Sequence, residues 1–214
     1  SGILETLPAI GPRSLVMVPM RSADYSVEHR REMLGMARSA IGHGLEHHRP
    51  PQLQLHNLPA PLQQMRATFV TLTLDGSLRG CVGSLEPQRA LAEDLVRNAF
   101  DTAFADPRFL PVTPAELTAL NVEISVITPL RLLTLESEAR LLEVIRPFEV
   151  GLVLDDGQRR ATFLPKVWDS LQEPAAFVAE LKRKAGMPCD HWPDSLRVLR
   201  YHTETFCERE VFAP

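Results

Sequence analysis

The sequence has few of the features that define metal, disulfide-stabilised or membrane proteins. Its 214 residues contain three cysteines, Cys81, Cys189 and Cys207, too few and too scattered for a disulfide framework, and no C-x-x-C pair of the zinc or thioredoxin type. No apolar run approaches the roughly 18–20 residues that cross a bilayer. An odd number of thiols suits a reducing compartment, and no secretory signal is visible, so we expect a cytoplasmic protein without a membrane segment.

Basic residues and the common nucleotide-binding motifs are also scarce. Lys and Arg number 23 against 27 Asp and Glu, which gives a formal net charge of −4. Because phosphate contacts need a basic field, we expect no nucleic-acid partner. The densest basic run, 182–184, falls in a predicted helix and is interpreted as a solvated face. The absence of a Walker loop, of G-x-G-x-x-G and of G-x-S-x-G disfavours P-loop, dinucleotide-binding and α/β-hydrolase enzymes.

The sequence that is present is typical of a globular chain, with 44% hydrophobic and 23% charged residues. Residues 1–25 show no periodicity and are interpreted as an N-terminal arm, whose Ser1-Gly2 start is typical of a cleaved tag. Residues 26–210 are predicted to form the folded domain. Its first helix begins after Ser26, a favourable N-cap, and ends before Pro50 and Pro51.

The remaining pattern repeats. A hairpin with an Asp75-Gly76 turn is followed by a helix over 88–105, a second helix capped by Thr113 and Glu116, and a strand over 121–128. A second hairpin with an Asp156-Gly157 turn is followed by helices over 165–171 and 174–185 and a strand over 196–206. The predicted fold is therefore α+β, an antiparallel sheet built from two related hairpin–helix–helix–strand units, about 66–130 and 148–206, with flanking helices. The alternative is coincidence, since such hairpins are common.

The most unusual segment is Leu78-Arg79-Gly80-Cys81-Val82-Gly83. Alternation along a strand predicts that Arg79 and Cys81 share a face, where the guanidinium would favour the thiolate. Gly80 and Gly83 weaken a strand and indicate a close neighbouring backbone, a ligand or a bulge. The functional interpretation is a thiolate in a glycine-lined groove, and the alternative is a small buried cysteine in a tight hairpin.

Three further residues are candidates for the same site. Asp106 and Arg108 could form a local turn clamp, or Arg108 could bind an anion near the first hairpin. Glu123 occupies either a solvated position on its strand or the place of a general base beside Cys81. His43 and His47 have metal-ligand spacing without the rest of a metal motif, so we predict no metal site. No cofactor is indicated.

Several short motifs occur together in a specific order. They are the 78–83 segment, Asp106-Pro107-Arg108-Phe109 with Pro111, Glu123-Ile124-Ser125-Val126, Phe163-Leu164-Pro165-Lys166-Val167, and Lys184-Ala185-Gly186 with Trp192 after it. In this combination the chain resembles the AMMECR domain family, also called AmmeMemoRadiSam system protein A. The resemblance implies an α+β fold with two related halves around an antiparallel sheet, a cleft near the 78–83 segment, and genomic association in bacteria with Memo-like and radical-SAM proteins. It implies no particular reaction.

Two hypotheses follow. The first is an enzyme or enzyme-system component with a small-molecule site, in which Cys81 is a nucleophile or redox-active ligand and Glu123 a proton acceptor. Its binding residues would be Arg79, Gly80, Gly83, Asp106 and Arg108. The second is a non-catalytic interaction module whose groove binds a partner, such as a radical-SAM or Memo-like protein. The sequence predicts neither the ligand nor the oligomeric state.

Overall fold

The computed structural model describes residues 25–212, so the predicted N-terminal arm lies outside the described residues except for Tyr25. Ser26 caps the first helix as predicted, because its hydroxyl accepts a hydrogen bond from the amide of His29 at 3.3 Å. The helices are α1 (Val27–His47), α2 (Ala60–Gln63), α3 (Leu91–Phe104), α4 (Glu138–Val144), α5 (Pro174–Ala185) and α6 (Glu208–Val211), with 3₁₀ turns at Leu55–Asn57 and Pro165–Asp169.

The strands form two hairpins and two further pairs. Asp75 and Gly76 turn the first hairpin with φ values of +50° and +81°, a left-handed turn that an Asp-Gly pair adopts readily. The strands are β1 (Ala67–Leu74), β2 (Ser77–Gly83), β3 (Leu120–Ile127), β4 (Arg131–Leu133), β5 (Gly151–Asp155), β6 (Arg160–Phe163), β7 (Arg197–Tyr201) and β8 (Thr203–Cys207).

These strands build two antiparallel sheets, whereas the sequence predicted one. The first sheet has the order β2-β1-β3-β8 and the second the order β4-β7-β5-β6. In each sheet the strand that follows the hairpin helix, β3 or β7, pairs with the first strand of the hairpin. The α+β class is confirmed, while duplication of an ancestral unit stays a prediction.

The two sheets are separate because two long strands change sheets part-way. The strand predicted over 196–206 is interrupted at His202, so that β7 and β8 belong to different sheets. Thr128 lies opposite His202, and its amide donates to the His202 carbonyl. The His202 amide, however, donates to the side-chain hydroxyl of Thr128, at 2.9 Å. Pro129 follows and has no amide to donate, so the ladder breaks and the ribbon enters the second sheet.

The helix predicted from Thr113 is absent, and residues 114–119 form turns. The capping residues nevertheless interact, because the Thr113 amide and hydroxyl both donate to the Glu116 carboxylate, at 2.8 and 2.9 Å. Arg38 of α1 donates to the carbonyls of Leu117 and Leu120, the oxygens that a continuing helix would use. Strand β3 begins at Leu120, which leaves no room for a second helical turn.

Two apolar cores lie on the outer faces of the two sheets. The first sheet packs on α1 and α3, and the second packs on α4, α5 and the 165–169 turn, around the stacked rings of Trp168 and Phe177. A third, smaller cluster joins the inner faces of the sheets, with Ala67 and Ile127 from the first and Val153 and Tyr201 from the second. In the described part of the chain, no helix is long and apolar enough to cross a membrane.

Candidate functional site

A cleft of about 510 Å³ opens between strand β2 of the first hairpin and strand β6 of the second. Both are edge strands of their sheets, so the cleft has one wall from each unit. A second hollow of about 460 Å³ adjoins it and shares part of its lining, including the ring of Phe69. The residues of the cleft that matter here are Phe69, Cys81, Gly83, Asp106, Arg108, Thr162 and Lys184.

Cys81 is partly exposed on the β2 wall of this cleft. Its amide donates to Asp106 Oδ2 at 2.9 Å, and its carbonyl accepts from Arg108 Nη2 at 3.1 Å. On the other side, the Thr71 hydroxyl donates to Cys81 Sγ at 3.3 Å. An edge strand presents unpaired amides and carbonyls, and here one carboxylate and one guanidinium occupy them. The position of the sulfur is therefore fixed on two sides.

Asp106 and Arg108 form the turn clamp that the sequence left as one of two alternatives. Arg108 donates to both carboxylate oxygens, from Nε to Oδ1 at 2.9 Å and from Nη2 to Oδ2 at 2.7 Å. These hydrogen bonds hold the pKa of Asp106 well below its usual range, against the opposing effect of burial, and the Cys81 amide adds to the lowering. Asp106 therefore remains ionised and holds the Cys81 backbone at physiological pH.

Arg79 is placed differently from the sequence-based expectation. Its guanidinium binds Glu116, with Nε 2.6 Å from Oε1, and also donates to the carbonyls of Leu110 and Pro111. The cause is a β-bulge: Leu72 pairs with Gly80 and Thr73 with Leu78, so Arg79 has no partner and alternation fails there. The cleft cations are instead Arg108 and Lys184, both of which line the cleft together with Cys81.

The two glycines have different neighbours. A Cβ at Gly80 would lie 2.6 Å from the Thr102 carbonyl oxygen of α3, so a neighbouring backbone explains this glycine. Gly80 is buried and does not line the cleft. A Cβ at Gly83 would lie 2.3 Å from the ring of Phe69 and 2.4 Å from the Thr68 carbonyl oxygen, and Gly83 does line the cleft. Gly83 thus gives Phe69 the space to form part of the cleft wall.

Glu123 lies in the same cross-strand row as Cys81, but not beside it. Thr71 pairs with Cys81 on one side and with Glu123 on the other, so one strand separates the thiol from the carboxylate. Lys166 of the second unit binds both Glu123 oxygens, at 2.8 and 2.7 Å. Glu123 is not part of the cleft lining, and the structure does not bring it into contact with Cys81.

Lys184 is the site residue that the sequence interpretation missed. The sequence interpretation places the run 182–184 on a solvated face, and Arg183 and Lys184 are indeed exposed, but Lys182 is fully buried and binds Glu138 at 2.5 Å. The exposed Lys184 lines the cleft. The helical period contains the signal, because Lys184 follows the buried Phe177 and Leu181 at seven and three residues and so shares their face. The interpretation as a solvated face rested on the charges of the run 182–184 and not on this helical period.

Metal coordination is not supported by the described residues, 25–212, in which no group of three or more His, Cys, Asp or Glu side chains could hold an ion. His43 and His47 contact each other through their rings, with centroids 4.2 Å apart.

Comparison with known proteins gives consistent matches over most of the chain. The AMMECR1 family model matches residues 34–206. A protein of Methanothermobacter thermautotrophicus is 37% identical in an alignment of length 195 that covers 88% of this chain and 99% of that protein. A protein of Thermococcus kodakarensis is 34% identical in an alignment of length 196 that covers 85% of this chain and 91% of that protein. The crystal structure of an uncharacterised protein from Pyrococcus horikoshii is similar with a TM-score of 0.76 and 32% identity, covering 86% of this chain and 93% of that one. The chain therefore belongs to the AMMECR1 family.

Proposed function

We propose that the cleft between the two hairpins binds a small molecule, and that Cys81 supplies the thiol that contacts or reacts with it. The observation that carries the proposal is the position of Cys81, partly exposed in a cleft of about 510 Å³ and bound through its amide, carbonyl and sulfur. This volume is in the range of small-molecule sites, roughly 300–1,000 Å³. A small buried cysteine would not line such a space.

The arrangement around Cys81 supports a site that is formed before the ligand arrives. The Asp106–Arg108 clamp fixes the backbone on one side, and the Thr71 hydroxyl fixes the sulfur on the other. Preorganised groups of this kind lower the cost of binding, because few side chains need to be ordered by the ligand. Lys184 comes from the second unit, so the site requires both units.

A partner-binding module is the second candidate. Leu110 follows the clamp and is 84% exposed, an unusual position for a leucine whose carbonyl is held in place by Arg79. In this alternative the rim of the cleft binds a protein of the same system, for which the family resemblance suggests the radical-SAM and Memo-like classes. Cys81→Ala would then preserve partner binding, whereas Arg108→Ala would weaken it.

Thiol labelling tests the first proposal. The folded chain is treated with iodoacetamide at neutral pH, and mass spectrometry follows Cys81, the exposed Cys189 and Cys207 separately. We expect Cys81 to label faster in the folded chain than in the same chain unfolded in urea, although it is only partly exposed. Cys189 provides the internal reference, and Cys207→Ser removes the third thiol as a control. A Cys81 that labels no faster when folded than when unfolded contradicts the proposal.

A further inference from the structure

Among the described residues, the cleft contains a lysine, Lys184, without an acidic partner. The chain has three lysines, Lys166, Lys182 and Lys184. The first two form ion pairs with Glu123 and Glu138, at 2.7 and 2.5 Å. Within residues 25–212, Lys184 forms no ion pair; its ammonium donates to the Thr162 carbonyl at 3.0 Å and lies 5.1 Å from the centre of the Phe163 ring. Two of its three N–H donors are therefore not used by the described residues.

Arg108 also retains donors that face no carboxylate of the described residues. Its Nε and Nη2 atoms serve Asp106 and the Cys81 carbonyl, whereas Nη1 has no hydrogen bond with any residue in the range 25–212. The side chain is 54% exposed, while that of Asp106 is 1% exposed. The Asp106 carboxylate is thus buried in the protein, whereas the Arg108 guanidinium is accessible from the cleft.

The acidic groups of the cleft region do not compensate these two cations. Both Asp106 oxygens already accept hydrogen bonds from Arg108, and the Cys81 amide occupies Oδ2 as well. In the adjoining hollow Glu86 is paired with Arg160 at 2.7 Å. Burial lowers the pKa of Lys184, Cys81 opposes this effect, and the like charge of Arg108 adds to it. Both cations line the same cleft, so a bound anion would offset the repulsion between them.

We infer that the ligand carries an oxyanion, a carboxylate or a phosphate, which binds to Lys184 and Arg108 next to Cys81. Both cations are fixed by hydrogen bonds to edge-strand carbonyls on opposite walls, Lys184 to Thr162 and Arg108 to Cys81. Charge-assisted hydrogen bonds from such donors are the strong interactions available to an oxyanion. The inference rests on the proposed function only in that the same cleft is the binding site.

Titration of the folded chain with inorganic phosphate and, separately, with acetate tests this inference without using thiol chemistry. Backbone amide chemical shifts are followed by NMR at constant ionic strength maintained with chloride. We expect saturable shifts at Cys81, Arg108 and Thr162 with at least one of the two anions, and the stronger of the two identifies the anion class. Lys184→Gln, which keeps a donor and loses the charge, is expected to weaken that affinity about tenfold or more.

Arg183→Gln is the matched control, since this neighbouring cation is exposed and pairs with Glu180. It should leave the affinity unchanged. An absence of saturable shifts with both anions overturns the inference, as does an equal effect of Lys184→Gln and Arg183→Gln. Slow labelling of Cys81 together with charge-dependent phosphate or acetate binding would reject the thiol role and preserve the oxyanion site.

Discussion

Two positions of the first hairpin need glycine because neighbouring atoms lie too close for a Cβ. Gly80 faces the Thr102 carbonyl and Gly83 faces the Phe69 ring, in each case closer than a Cβ could approach. The two glycines thus have separate roles, one in seating α3 against β2 and one in shaping the cleft. Gly35 differs from both, because a Cβ there would meet no heavy atom of the described residues within 4 Å, apart from its chain neighbours and the backbone of its own helix.

Gly80→Ala and Gly35→Ala are therefore expected to have opposite effects. At Gly80 the added methyl group meets backbone that cannot move freely, and overpacking of this kind typically costs about 1–3 kcal/mol. At Gly35, inside α1, alanine raises helix propensity and is expected to stabilise the fold by about 0.5–1 kcal/mol. The free energy of unfolding in urea measures both changes. A neutral Gly80→Ala would show that α3 does not pack on β2 as closely as described.

At the scale of elements, the bulge in β2 connects two segments that are distant in sequence. It directs Arg79 to Glu116 and to the carbonyls of Leu110 and Pro111, so the 110–116 segment is held against the hairpin. The hydrogen bonds from Arg79 and from the Thr113 amide lower the pKa of Glu116 to about 2. Arg79 is thus a positioning element for the loop that follows the clamp.

The pH dependence of stability tests this role. A carboxyl group whose pKa is lowered by folding contributes stability above its ordinary pKa of 4.5, and that contribution is lost as the pH falls towards about 2. We expect the difference in unfolding free energy between pH 7 and pH 3 to be smaller in Glu116→Gln than in the unmodified chain. The exposed Glu136 supplies the control, since Glu136→Gln should leave that difference unchanged. An unchanged difference in Glu116→Gln would show that the pair with Arg79 does not support the fold.

For the whole molecule, the cleft exists because two sheets meet through a small apolar cluster. Ile127 and Ala67 of the first sheet pack with Val153 and Tyr201 of the second. Ion pairs also cross between the units, such as Lys166 with Glu123, but the lysine is largely exposed. Exposed pairs contribute little, whereas buried apolar contacts contribute much more. The relative position of the two cleft walls therefore depends on the apolar cluster.

Ile127→Ala is expected to lower the unfolding free energy by about 2–5 kcal/mol, because it leaves a cavity between the sheets. Lys166→Met, which removes the ion pair and keeps most of the side-chain volume, should change it by about 1 kcal/mol or less. Urea unfolding measures both variants, and hydrogen exchange at Gly151–Asp155 reports local opening of the second sheet. If Lys166→Met lowered the unfolding free energy more than Ile127→Ala, the ion pair and not apolar packing would hold the two sheets together.

The sequence by itself determined the features that depend on neighbouring residues. The Ser26 cap, the Asp75-Gly76 turn, the α+β class and the presence of Cys81 and Gly83 in one strand follow from local stereochemistry and spacing. The sequence also indicated the Asp106–Arg108 clamp as an alternative, because the two residues are two positions apart. These are short-range properties, and they hold whatever surrounds them.

Tertiary structure decided the features that depend on a second segment. The bulge at Arg79 arises from pairing with β1, the end of the sheet at His202 depends on the Thr128 hydroxyl opposite it, and the absence of a helix after Thr113 depends on Arg38 of α1. Lys184 lines the same cleft as Cys81 because two sheets pack together through residues that alternation places on their inner faces. The physical reason is common to all of these cases. Packing between distant segments decides which group a charged side chain binds and where the alternation of a strand breaks. The periodicity of a single segment contains no information about the segment that packs against it.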